Sequence, residues 1–161
     1  MSNPISIIMG SQSDLETVSE TISVLKEFKV GFEIRVLSAH RTPDELAQYV
    51  ESRSRLGTKV FIAAAGGAAA LAGVVAAHTT LPVIGIPKET KSLQGLDSLL
   101  STVQMPAGIP VASMAIGRPG AKNAALFALA ILSTADSTIA RRLELMRRGM
   151  RAKIKKTKIK T

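Results

Sequence analysis

The longest stretch without a charged residue runs from 60 to 87, VFIAAAGGAAALAGVVAAHTTLPVIGIP. It is long enough to cross a bilayer, which takes about 20 apolar residues. The pair Gly66-Gly67, the break at His78-Thr79-Thr80 and a proline divide it. It therefore reads as a buried strand, helix and strand. Strands that are apolar on both faces belong inside a parallel sheet covered by helices on both sides.

The rest of the chain repeats that alternation. Short β-branched runs at 5–10, 32–38, 59–65, 81–87 and 109–115 read as strands. Helical patterns lie between and after them, at 13–28, 43–54, 68–78, 95–104, 120–134 and 136–152. The first helix shows the spacing clearly, with Leu15, Val18, Ile22, Leu25 and Phe28 on one face. Strand-helix alternation predicts an α/β fold with a mostly parallel sheet, its ligand sites at the carboxyl ends of the strands. The expected organisation is a single domain over 1–140 and a basic C-terminal helix or tail over 141–161, partly disordered, with no second domain, linker or repeat.

Composition adds bounds. The 161 residues suit one domain with a real core. Only 3% are aromatic, so Ala, Val, Ile and Leu must build that core, which suits closely packed layers. There is no cysteine, which excludes disulfides, thiolate metal sites and a cysteine nucleophile. This agrees with a cytoplasmic setting, as does an N-terminus without a basic leader. The net charge of +9 sits in residues 141–161, which hold ten Lys and Arg against Glu144. Residues 1–140 balance eleven basic against eleven acidic residues, so the charge says nothing about an active site. No aromatic residue is interleaved in the tail for base stacking, which weighs against a nucleic-acid partner.

Four loops follow strands 1 to 4. In MGSQSDLE, Gly10 allows a tight turn, and Ser13 with Glu16 forms an S-x-x-E box that starts a helix. A helix N-terminus beside serines suits a phosphate, and Asp14 suits sugar hydroxyls. Plain capping by Ser13 and Asp14 explains the same residues. In SAHRTPDE, Thr42, Pro43 and Glu45 read as cap, first helical residue and box partner. His40 and Arg41 are left just before that helix. A histidine supplies acid-base chemistry near neutral pH and an arginine holds an anion. Without a role they are a surface pair. Gly66 and Gly67 permit close backbone approach to a ligand, or simply a tight turn. The long polar loop after strand 4 offers Ser92, Gly95 and Asp97 as contacts for a ligand or a neighbouring subunit. His78 has no acid or second ligand nearby in sequence and reads as structural or exposed. No metal-ligand cluster, P-loop or dinucleotide fingerprint is present.

GSQSD, SAHRTP, AGGAA, LPVIGIP, GLDSLLSTVQMPAGIPVA and AIGRPGAKNAALFA, in this order, resemble the PurE family, the N5-carboxyaminoimidazole ribonucleotide mutases of purine synthesis. The similarity covers about residues 4 to 134. It implies a three-layer α/β/α sandwich with a flavodoxin-like five-stranded parallel sheet, assembled as a homo-octamer with active sites between subunits. It implies that a carboxylate moves from the exocyclic nitrogen to ring C4 of a small-molecule ribonucleotide, with no ATP, metal or organic cofactor and no membrane partner. His40 would manage the protons. Ser11, Asp14 and Arg41 would contact the substrate, with Ser13, Ser38, Gly66, Gly67 and Ala68 in the same pocket. The family usually reads AGAGGAAHLPG where residues 63–73 here are AAAGGAAALAG. Ala64 stands for a glycine, Ala72 for a proline and Ala70 for a histidine, so Ala70 removes a hydrogen-bond donor. A branch reading SAHKT carboxylates aminoimidazole ribonucleotide directly. That activity, or ribonucleotide binding with impaired catalysis, is the alternative.

Overall fold

The structure, a computed structural model, describes residues 3–157. Five strands, β1 (Ile5–Met9), β2 (Phe32–Val36), β3 (Val60–Ala65), β4 (Val83–Pro87) and β5 (Ala112–Ser113), form one sheet. Every pairing is parallel and the order is β2-β1-β3-β4-β5. Six α-helices are seen among the described residues: α1 (Leu15–Glu27), α2 (Pro43–Arg55), α3 (Leu71–Ala77), α4 (Leu96–Val103), α5 (Gly117–Ser133) and α6 (Ser137–Lys156). A 3-10 turn, Gln12–Asp14, precedes α1. This is the flavodoxin-like α/β order expected above. The uncharged run 60–87 is indeed strand, helix and strand. No described helix is long and apolar enough to cross a membrane.

Strand alternation divides the core between the two faces of the sheet. Ile8, Phe61, Ala63 and Val83 pack with Leu46 and Val50 of α2 and with Leu71, Ala72 and Val75 of α3. The other face meets α1 and α5. There the Thr21 hydroxyl of α1 donates to the Ala121 carbonyl of α5 at 2.7 Å. α5 buries Ala121, Ala124, Ala125 and Ala128, so small side chains let the helix lie close. All five residues of β1 and of β4 are buried, as interior parallel strands require.

Two elements differ from expectation. β5 is two residues long rather than 109–115, because Pro110 has no N–H to give a ladder and pairing starts only at Ile84↔Ala112. α6 runs through Lys156, past the expected helix end at 152, and the last residues of the expected tail, 158–161, lie outside the described residues. The chain falls into two compact units, Met1–Ala128 and Leu129–Thr161. Within the second unit, the Asp136 carboxylate caps α6 by accepting the Thr138 N–H at 2.8 Å and the Ile139 N–H at 3.2 Å.

Candidate active site

In this strand order the crossovers run one way from β1 to β2 and the other way to β3. Two loops separate there and leave a crevice at the carboxyl ends. A cavity of about 420 Å³ lies at that end, lined from the loops after β1, β2, β3 and β4. It gathers Gly10, Ser11, Ser13 and Asp14 with Ser38, His40 and Arg41, then Gly66, Ala68 and Ala70, then Lys88, Glu89 and Thr90.

The loop after β2 is held by its own side chains. The Thr42 hydroxyl accepts the Ser38 N–H at 2.8 Å and donates to the Ser38 carbonyl at 3.1 Å. Thr42 therefore occupies the cap position of α2 without capping it, and the expected box with Glu45 is not made. The bond across the 38–42 turn takes the hydroxyl instead. Pro43 does open the helix. Ser38 is a hub: its hydroxyl accepts the backbone N–H groups of His40 at 3.3 Å and Arg41 at 3.2 Å. The Arg41 guanidinium donates to the Gly10 carbonyl at 3.0 Å, which lays it across the end of β1. A guanidinium has five donors, so several remain for an anion. His40 is exposed at the cavity, and among the described residues its ring has no hydrogen-bond partner.

The loop after β1 also caps differently from the S-x-x-E expectation. Asp14, not Ser13, precedes α1, and its carboxylate turns back to accept the Ser11 N–H at 2.9 Å. The Ser11 and Ser13 hydroxyls bond each other at 2.7 Å. Asp14 is buried, at 4% exposure, with its carboxylate on the cavity wall.

After β3, Gly66, Ala68 and Ala70 line the cavity, whereas Gly67 does not. Gly67 has φ of 67°, a left-handed turn that favours glycine, and its N–H donates to Ser98 Oγ at 2.9 Å. It shapes the turn and faces α4 rather than the pocket. Ala70 stands at the cap position of α3 with no side-chain donor.

The residue missed from sequence is Lys88, at the carboxyl end of β4. Its Nζ donates to the Ser13 carbonyl at 2.9 Å, to Ser13 Oγ at 3.0 Å and to Asp14 Oδ1 at 2.9 Å. It is the first charged residue after the uncharged run, at a strand end where ligands bind, and that position was the available signal. The loop candidates Ser92, Gly95 and Asp97 stand apart from the cavity. Asp97 accepts from Thr90 Oγ1 at 2.8 Å and from the Ser98 N–H at 2.9 Å, which fixes the loop. His78 does have an acid within reach: its Nδ1 lies 3.5 Å from Glu51 across from α2.

The cavity thus brings the Arg41 guanidinium, the Asp14 carboxylate and the His40 imidazole together. Comparison with known proteins identifies relatives of the whole chain. A family model described as AIR carboxylase matches residues 4–153. A Bacillus subtilis protein named N5-carboxyaminoimidazole ribonucleotide mutase is 54% identical over 140 residues, covering 87% of this chain and 86% of its own length. A Pyrococcus abyssi protein of the same name is 53% identical over 147 residues, covering 91% of this chain and 83% of its own length. Among solved structures, Treponema denticola PurE aligns with a TM-score of 0.85 at 32% identity, over 93% of this chain and 92% of that one.

Proposed function

The chain belongs to the AIR carboxylase family, and from that premise we propose how its site works. The activity is that of an N5-carboxyaminoimidazole ribonucleotide mutase in purine synthesis, giving the 4-carboxy-5-aminoimidazole ribonucleotide. The observation that carries the residue assignments is a cavity at the strand-order reversal, where His40, Arg41 and Asp14 meet.

The chemistry asks little of the protein. The N–C bond of the carbamate breaks, and the nitrogen takes one proton as carbon dioxide leaves. The electron-rich ring C4 then attacks that carbon dioxide, and C4 gives up one proton once the C–C bond has formed. One imidazole at His40 donates the first proton and accepts the second, so it ends as it began. A pocket that holds carbon dioxide against the ring replaces a bimolecular encounter with an effectively unimolecular one. Ser11 and the loop after β1 serve the phosphate or nearby polar groups, Asp14 the ribose hydroxyls and Arg41 an anionic group, with Ser13, Ser38, Gly66 and Ala68 as walls.

A homo-octamer with active sites between subunits fits the surface of α4. That helix is inverted: it buries Ser98 and Thr102 and exposes Leu96 at 51%, Leu100 at 48% and Val103 at 48%. Leu93, at 56% exposure, extends the patch along the loop that begins with Lys88. A second copy is the occupant that suits an apolar face continuous with an active-site loop.

The test is turnover of N5-carboxyaminoimidazole ribonucleotide to the C-carboxylated isomer without ATP. A direct carboxylase would instead form that product from aminoimidazole ribonucleotide at low bicarbonate and handle the N5-carboxylated form poorly.

A further inference from the structure

Lys88 has spent its hydrogen bonds. An ammonium has three donors and no acceptor, and here they go to the Ser13 carbonyl, Ser13 Oγ and Asp14 Oδ1. None is left for a ligand, although the side chain lines the cavity. Asp14 is in the opposite position. Its carboxylate has about four acceptor sites, and two protein donors reach it, the Ser11 N–H on Oδ2 and Lys88 on Oδ1. Two sites remain, one on each oxygen. A vicinal diol carries two hydroxyl donors, so the free capacity of Asp14 matches one ribose.

The pairing also holds the carboxylate in place. The Asp14 side chain is 6% exposed and that of Lys88 23%. A buried carboxylate without a cation is held poorly as an anion and rotates or takes up water. Arg41, the other guanidinium or ammonium lining the cavity, is bonded to the Gly10 carbonyl and Ser38. Lys88 is therefore the cation that ties down the Asp14 carboxylate and fixes its plane.

We infer that Lys88 is a positioning residue for the substrate ribose: by saturating itself on Ser13 and Asp14, it presents the two free acceptor sites of Asp14 to the sugar hydroxyls. This rests on the reading above that Asp14 takes the ribose. It does not require Lys88 to touch substrate, and it separates Lys88 from a simple cation for the phosphate.

The experiment compares the 4-carboxylated ribonucleotide with its 2′-deoxyribose form as substrates in the reverse direction, in wild type, Asp14→Asn, Lys88→Met and the double variant. Wild type is expected to prefer the ribose form by about tenfold in kcat/KM, the scale of one hydrogen bond to a charged group. Lys88→Met is expected to lose most of that preference, mainly through KM, and the double variant to be no worse than Asp14→Asn. If Lys88→Met does not fold, Lys88→Gln takes its place. A folded Lys88 variant that keeps the wild-type ribose preference overturns the inference while leaving Asp14 on the ribose. A wild type without any ribose preference overturns both. A Lys88 variant that loses the ribose and deoxyribose forms equally marks a phosphate cation instead and overturns the inference alone.

Discussion

The Lys88 ammonium, at the carboxyl end of β4, lies 2.9 Å from the Asp14 carboxylate, 74 residues earlier in the chain in the turn before α1. Arg41 makes the matching tie from the other side, 3.0 Å from the Gly10 carbonyl. Two cations from loops on either side thus close on the same segment after β1. The pocket wall is held by side-chain bonds where the sheet ladder has ended. This gives the Asp14 carboxylate a fixed place on the cavity wall.

The exposed face of α4 predicts assembly. Leu100→Glu puts a charge in the centre of that apolar patch, while Leu100 itself is not in the core. Light scattering should show wild type as an octamer and the variant as smaller species with unchanged helical content. An octameric variant would mean that α4 is not the interface.

Ala70→His predicts a gain. The position lines the cavity beside Ala68 and offers no side-chain donor at present. An imidazole there adds one hydrogen bond toward the substrate and should raise kcat/KM by about tenfold, with the melting temperature little changed. Unchanged turnover by folded protein would mean the pocket already works without that donor.

Tyr49 predicts a loss of stability at high pH. Burial, followed by the bond to the Glu33 carboxylate, pushes its phenol from 10.0 up to about 12. The proton is held more tightly in the folded state than in the unfolded one. Its contribution is therefore complete below pH 10 and is lost as pH rises through about 12. Denaturant unfolding across that window should show a falling stability whose slope is reduced in Tyr49→Phe. Equal slopes would remove Tyr49 as the cause.

The interior strands were legible because a parallel strand buried on both faces leaves an unbroken apolar run. Thus β3 and β4 lie inside the expected ranges, while β5 shrank where Pro110 breaks the ladder. Of the site, the SAHRT and GSQSD loops were legible as strand-to-helix junctions. Their hydrogen bonds were not: Thr42 turns to Ser38, and Asp14 turns back to Ser11, because local competition among short polar side chains decides such caps. Lys88 was hidden for a different reason. Its partners are long-range, and a lysine at a loop start carries no periodic signature. Gly67, expected in the pocket, faces Ser98 instead, since a left-handed turn aims its N–H away from the cavity.

The central claim is that His40 carries the protons of the carboxylate transfer. The direct measurement is conversion of N5-carboxyaminoimidazole ribonucleotide to its C-carboxylated isomer, without ATP, by wild type and His40→Asn. His40 is exposed and its ring has no bond to another described residue, so the variant should fold and assemble normally. Wild type should turn over and His40→Asn should be slower by about 10² to 10⁴, the usual worth of a general acid-base group. A folded His40→Asn variant that runs at the wild-type rate would contradict the assignment.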